Sequence, residues 1–244
     1  MIKLSHVYRE VELMCKIFRC GEYGSELEGQ LRELGVELIS EGPIDLMGLR
    51  LIGKGHSSLV YACRVVGLGE TYACKVRRPD SPRPSLIHEA KYLALANTVN
   101  VGPRLIKYSK DVIVMELVRG VDIEDFLKVA TPQETAAVAY RLLWQGYVLD
   151  SIMLAHNELT RLRRHVLVSG GEPRILDFES ASMGIRVNVP QLANALFLSG
   201  GLISRHVLKA LNPDLKALRE ALRIYRKVGG FDSFRSVLKA LGLG

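Results

Sequence analysis

Hydrophobic positions recur along this chain with two periods, and the change from one to the other divides it. Over residues 5–19, Val7, Val11, Met14 and Phe18 fall at helical spacing, and Ser25–Leu34 predicts a second helix that stops at Gly35. Cys20-Gly21-Glu22-Tyr23-Gly24 reads as the turn between them, Val36–Ser40 as a short strand and Gly42-Pro43 as a boundary. From Leu49 the period becomes that of strands, with Leu49–Ile52, Leu59–Cys63, Thr71–Val76 and Val112–Leu117 as the runs. Between the last two, Pro79, Pro82 and Pro84 mark a loop, and Ser85–Ala96 predicts a helix with Leu86, Ala90, Leu93 and Ala94 on its apolar side. Beyond Val121 the helical period returns in Val121–Ala130 and in Thr131–Leu154, whose Thr131-Pro132-Gln133-Glu134 start carries capping and first-turn signals. Val166–Val168, a Gly170-Gly171 turn and Ile175-Leu176 interrupt it as a hairpin. Apolar stripes at Leu192, Leu196, Leu202 and Val207, a helix start at Asn212-Pro213-Asp214 and a last helix over Phe231–Leu241 follow. The pattern predicts an α+β chain with three parts: a helical extension at 1–47, a β-rich region at 48–117 and a helical region at 118–244.

Composition narrows the class. The chain has 244 residues, 48% of them hydrophobic and 24% charged, as expected of a globular protein. Its mean hydropathy is +0.12, yet no apolar run has membrane-spanning length, and Asp150 interrupts the likeliest helix. Met1–His6 lacks a signal-peptide core, so a cytoplasmic protein is expected. Cys15, Cys20, Cys63 and Cys74 form no CxxC pair and no metal spacing, and are expected to be reduced and mostly buried. The net charge of +7 is uneven. Residues 1–47 hold five basic and nine acidic groups, whereas nine basic and three acidic groups fall between Arg205 and the end. A basic carboxy-terminal portion suits an anionic partner, although solvated basic helices give the same count. The acidic extension either covers the sheet that follows it or touches a macromolecular substrate.

Candidate chemistry gathers around Ile175-Leu176-Asp177-Phe178-Glu179-Ser180. Apolar residues followed by a carboxylate read as a strand end delivering Asp177 to a pocket, where an aspartate can hold Mg²⁺ between nucleotide phosphates. Gly53-Lys54-Gly55-His56-Ser57-Ser58 lies between two strands, and its glycines allow backbone to approach phosphate oxygens. It is not a Walker loop, since no GxxxxGK[ST] is present and a strand follows; alone, it reads first as an ordinary glycine-rich hairpin. Lys75 sits among apolar strand residues and needs an anionic partner. Glu89 is either that partner or a surface glutamate. Backbone groups at Glu116–Val118 are placed to meet an adenine edge. The Gly170-Gly171 hairpin is expected to bring Glu158, His165 and Asp177 together, giving a proton acceptor and metal ligands for phosphoryl transfer.

In their order along residues 48–200 these pieces resemble the protein-kinase fold, a small β-rich lobe followed by a helical one. Gly53–Val60 is similar to the GxGxxGxV loop with Ser58 in place of its last glycine, Ala73-Cys74-Lys75 to the lysine strand, and Glu89 to its helix partner. Met115-Glu116-Leu117 resembles the hinge, His156-Asn157-Glu158 the HRD triplet and Asp177-Phe178-Glu179 the DFG triplet. The resemblance implies ATP between the lobes, Lys75 on its phosphates, Asp177 on Mg²⁺ and Glu158 at the acceptor hydroxyl. It also marks departures. The metal-binding asparagine falls at Arg163, or at His165 if the loop is longer, and histidine is a poor Mg²⁺ ligand. His165 then bonds a phosphate or orients Glu158. Only ten residues separate Asp177 from Asn188 and no APE motif follows, as in RIO- or Bud32-like atypical kinases.

More narrowly, GKGHSSLVY, HNEL…RRHVLV and LDFESAS are similar to the archaeal RNA kinases, which phosphorylate the 2′-hydroxyl of a uridine in the tRNA variable loop. That resemblance implies tRNA as partner, held by Arg161, Arg163, Arg164 and Arg174 near the catalytic loop; the same arginines serve equally as solubilising charge or as ion-pair partners of Glu179. An atypical serine/threonine protein kinase and a non-catalytic nucleotide-binding scaffold are the competing expectations.

Overall fold

The computed structural model describes residues 7–244, with side chains from Arg9 onward. The helical reading of residues 5–6, the Val7 side chain and the Met1–His6 segment lie outside the described residues. The chain is α+β, rich in sheet in its amino-terminal part and helical in its carboxy-terminal part. It divides into two compact units, one formed by residues 1–94 and 103–117, the other by 95–102 and 118–244.

In the first unit, α1 (Val7–Phe18) and α2 (Tyr23–Leu34) are followed by β1 (Val36–Ile39). Gly35 ends α2 in the left-handed conformation at φ 65°, its N–H bonded to the Leu31 and Arg32 carbonyls, which is why the helix stops there. A hairpin of β2 (Ile44–Leu46) and β3 (Leu49–Leu51) precedes β4 (Gly53–Lys54), β5 (Ser58–Val65) and β6 (Thr71–Arg77). The helix α3 (Ile87–Asn97) leads to β7 (Leu105–Tyr108) and β8 (Val112–Glu116). The antiparallel sheet runs β1-β5-β6-β8-β7, with β4 on β5.

Alternation of side chains gives this sheet two distinct faces. Leu59, Tyr61 and Cys63 on β5, Tyr72, Cys74 and Val76 on β6, and Val112 and Val114 on β8 lie in register on one face. They form a single buried cluster with Val11 and Met14 of α1 and Leu27 and Leu31 of α2. The acidic extension therefore covers the sheet, with Glu10 buried and most of its other charges left outside. Val60, Ala73, Lys75 and Met115 belong to the opposite face. Leu86 just before α3, and Glu89, Ala90, Leu93 and Ala96 on it, are buried, whereas Ala94 is exposed.

Two of the four cysteines depart from expectation. Cys15 and Cys20 form a disulfide across the α1–α2 turn, where the helix end brings their Cα atoms to 4.7 Å. Cys63 and Cys74 are free and buried, as expected.

The second unit opens with β9 (Val121–Asp122) and α4 (Ile123–Val129), capped by the Asp122 carboxylate on the Asp125 N–H. α5 (Pro132–Ser151) starts on the Thr131–Glu134 capping box. It ends three residues before the sequence pattern does, because Met153 turns left-handed at φ 58° and Leu154–Ala155 forms β10. After the short α6 (Leu162–His165) come the hairpin strands β11 (Val166–Ser169) and β12 (Glu172–Ile175), then β13 (Ser182–Met183), which pairs with β10. Gly120, just before β9, has no room for a Cβ, which would lie 2.5 Å from the Val168 carbonyl oxygen. α7 (Asn188–Ala193) runs on through a π-helical turn at Asn194–Leu198, and α8 (Leu202–Ala210), α9 (Leu215–Val228) and α10 (Gly230–Ala240) complete the unit. Leu202 is exposed rather than part of an apolar stripe, since it opens its helix. Among the described residues no helix is long and apolar enough to cross a membrane.

Candidate active site

The first unit carries the glycine hairpin and the lysine. Gly53 and Lys54 pair with Val60 and Leu59, and the Gly55 N–H bonds the Ser58 carbonyl at 2.8 Å, closing the turn. Neither Gly53 nor Gly55 has positive φ, so bareness of backbone rather than backbone strain is what glycine supplies here. Lys54, Gly55 and His56 are exposed; Ser57 and Ser58 are buried, Ser58 as the first residue of β5 opposite Arg77. Arg78 braces the hairpin from behind. Its N–H donates to the Ser57 carbonyl at 2.9 Å and its guanidinium to the Gly55 carbonyl at 3.1 Å. The same guanidinium lies 4.7 Å from the centre of the Phe18 ring at the end of α1.

Lys75 pairs in the sheet with Val60 on one side and Ile113 on the other. Its Nζ donates to Glu89 Oε1 at 2.7 Å, and both side chains are under 10% exposed, at 7% and 5%. Glu89 is thus a buried partner, not a surface glutamate. An ion pair this enclosed fixes the ammonium in one place, because either charge alone is costly to bury. Ala73 lies next to Met115 in the same register. The Glu116 amide is not open to a ligand, since its N–H donates to the Arg104 carbonyl at 2.8 Å; Leu117 ends the first unit and Val118 begins the continuous part of the second.

The second unit carries the carboxylates. Return of the chain through β11 and β12, with the Leu176 N–H on the His165 carbonyl at 2.8 Å, brings Glu158, His165 and Asp177 together. His165 Nε2 lies 3.9 Å from Glu158 and Nδ1 lies 3.9 Å from Asp177. These distances are too long for hydrogen bonds and short enough for ionic attraction when the imidazole is protonated. His165 is enclosed, while the carboxylates keep 26% and 35% exposure. Asp177 has φ 67°, in the left-handed region that few residues other than glycine, asparagine and aspartate enter. A carboxylate oxygen of Asp177 and one of Glu179 lie within 4.8 Å of each other. Two oxygens at that spacing suit a hard cation such as Mg²⁺, and the nitrogen donors of His165 do not.

A frame of polar residues supports these groups, with His156 and Asn157 from the HRD-like triplet and Asp150 and Asn188, which no motif singles out. Asn157, also left-handed at φ 72°, donates its side-chain amide to the Ser180 carbonyl and Ser182 Oγ at 2.8 and 2.9 Å. It thereby holds the short segment after Asp177. His156 is fully buried between the His165 and Phe178 rings. Burial pushes its pKa down to about 4, so the ring is neutral at physiological pH. Its Nε2 carries the proton, since it meets the Leu176 carbonyl at 2.9 Å and a carbonyl oxygen only accepts. Asn188 accepts the His156 N–H and donates to the Leu154 carbonyl and to Asp150. Asp150 also accepts from the Asn188 and Val189 N–H groups and from the Tyr225 hydroxyl. Desolvation raises the Asp150 pKa, and those four donors oppose the rise.

The arginines near the loop do not form one open patch. Arg161 pairs with Glu158 at 3.3 Å, and Arg163 pairs with Asp122 and Glu124 at 3.6 and 3.5 Å. Arg164 is exposed on α6 and Arg174 is half-buried on β12, opposite Leu167.

No protein-family model and no curated protein matches the chain. Among solved structures, the kinase PK-1 of the Cydia pomonella granulovirus is similar over 67% of this chain and 57% of its own, at 16% identity and a TM-score of 0.48. The chain thus spans little more than half the length of that kinase. A functional reading rests on the residues of this chain and their geometry, not on that likeness.

Proposed function

We propose that the protein is an ATP-dependent kinase whose acceptor is a hydroxyl of RNA, by the resemblance of its motifs a ribose 2′-hydroxyl of tRNA. The observation that carries the reading is the grouping of Glu158 and Asp177 on either side of His165, on a buried frame that fixes all three. In this reading the first unit binds the nucleotide. The backbone of Gly53–Ser58 approaches the phosphates, Val60, Ala73, Met115 and Leu117 meet the base, and Lys75, oriented by Glu89, neutralises phosphate charge. Asp177 and Glu179 would hold Mg²⁺, which would neutralise charge on the phosphoryl oxygens. Glu158 accepts the acceptor hydroxyl's proton as its oxygen bonds to the γ-phosphorus, and the bond from that phosphorus to the β–γ bridging oxygen breaks to release ADP. His165 stands between the two carboxylates and orients Glu158.

The short segment after Asp177, tied by Asn157, supports a site assembled without phosphorylation of a loop. The test is incubation of the purified protein with γ-labelled ATP, total tRNA and a cell extract. Label in nuclease-sensitive material, located by mass spectrometry of digested tRNA on one nucleoside, is expected. Label in protease-sensitive material alone makes it an atypical protein kinase, and ATP-dependent thermal stabilisation without any transfer makes it a scaffold.

A further inference from the structure

α9 turns Leu218, Leu222 and Tyr225 inward and leaves Arg219, Arg223, Arg226 and Lys227 exposed beside them. These four cations, with Leu198 and Leu222 as an apolar floor, line a cavity of about 380 Å³. Positions 219, 223, 226 and 227 share one flank of the helix, and at 1.5 Å per residue their charges extend over about 12 Å. Glu220 is the one carboxylate on this helix, and it is taken by Arg223 at 2.7 Å. The side chains of Arg219, Arg226 and Lys227 form no ion pair or hydrogen bond among the described residues. The four cations outnumber the lone Glu220 beside them and repel one another, so an anionic occupant relieves the groove where a neutral one does not. One small anion meets one or two of these groups. A chain of phosphodiesters meets Arg219, Arg226 and Lys227 together, the two arginines offering the planar fork that phosphate oxygens accept. The leucine floor suits the less polar face of a ribose.

We infer that the α9 groove is an anchoring site for the phosphodiester backbone of RNA, separate from the residues that carry out transfer. This rests on the RNA-kinase reading, and deepens it by assigning the charge that the ion-paired Arg161 and Arg163 do not supply. Lost phosphate contacts flatten the dependence of binding on salt, by about 0.7 in logarithmic slope for each contact to a single strand.

The test compares wild type with Arg219→Ala/Arg226→Ala/Lys227→Ala, and with Arg235→Ala/Lys239→Ala, exposed basic positions on α10. Transfer to tRNA and fluorescence-anisotropy binding of labelled tRNA are measured from about 50 to about 300 mM salt, the range over which phosphate contacts weaken. The triple variant is expected to raise the KM for tRNA about tenfold or more and to flatten the salt slope by about two units. ATP affinity, and kcat at saturating tRNA, stay at wild-type values, and the α10 variant behaves as wild type. Wild-type KM and slope in the triple variant overturn the groove and leave the kinase reading standing, as does an equal loss per charge in the α10 variant. If wild type transfers nothing to RNA, the kinase reading fails and the anisotropy arm still decides: tRNA binding lost only in the triple variant upholds the groove. No tRNA binding by wild type, or binding that the triple variant retains while losing affinity for polyglutamate, overturns it.

Discussion

Asn157 and Ser182 stand 25 residues apart in the chain and 2.9 Å apart in space, the amide of one donating to the hydroxyl of the other. With the second bond from Asn157 to the Ser180 carbonyl, the segment after Asp177 is closed on itself by one side chain. Asn157→Ala removes both bonds, at a cost of about 1–3 kcal/mol. The expected result is a kcat about tenfold lower with little change in the KM for ATP, and faster amide hydrogen exchange over residues 179–185. Unchanged exchange there removes the positioning role of Asn157.

Lys75 and Glu89 answer a different question, whether a buried ion pair serves stability or chemistry. Glu89→Ala takes away the carboxylate at 2.7 Å and is expected to cost about 3–5 kcal/mol in urea unfolding. The double change Lys75→Met/Glu89→Leu replaces both charges by apolar groups of similar size. It is expected to recover most of that stability while phosphate transfer falls by about 100-fold or more. A double variant that is both stable and active shows that the lysine does not touch the phosphates.

His156 makes stability depend on pH in a predictable direction. The unfolded chain binds a proton near pH 6.5, whereas the buried ring stays neutral down to about pH 4. The stabilisation that goes with the neutral ring is therefore complete above pH 6.5 and is lost as the pH falls from there to about 4. The amount is roughly 3 kcal/mol. Asp150 works the other way: with its folded pKa raised, its contribution is full in acid and declines as the pH rises through that value. Comparing wild type with His156→Gln isolates the histidine. The unfolding free energy of wild type is expected to fall by about 3 kcal/mol more than that of the variant between about pH 7 and about pH 4. Parallel pH curves contradict the assignment.

Glu179 stands where the kinase resemblance has glycine. If its carboxylate shares a cation with Asp177, Glu179→Gln raises the Mg²⁺ concentration for half-maximal transfer about tenfold or more. Binding of Mn²⁺ followed by electron paramagnetic resonance is expected to weaken in parallel. A Mg²⁺ titration that superimposes on wild type removes Glu179 from the metal site.

Local rules were legible in the chain where the cause is local. The Thr131–Glu134 capping box, the Gly35 helix stop, the Asp214 cap and the alternation that buries Lys75 each depend on residues a few positions apart. So does the β11–β12 hairpin that gathers Glu158, His165 and Asp177. What escaped reading depends on distant partners. Asn188 and Asp150 are ordinary polar residues until the fold sets their side chains 2.8 Å apart. The Arg161–Arg163 run reads as open positive charge, yet Arg163 meets carboxylates on β9 and α4, far earlier in the chain. The short strand β7 lacks a clear alternating pattern, and the Cys15–Cys20 link depends on how a helix end turns.

Arg78 rests on Phe18 and holds the Gly55 carbonyl, so the hairpin tip has its footing on the end of α1. In the kinase reading, an antibody or small molecule wedged beneath Phe18 would loosen the grip on a nucleotide without occupying its place. Ligand there and nucleotide in the hairpin would then weaken each other by the same factor, although their sites do not overlap.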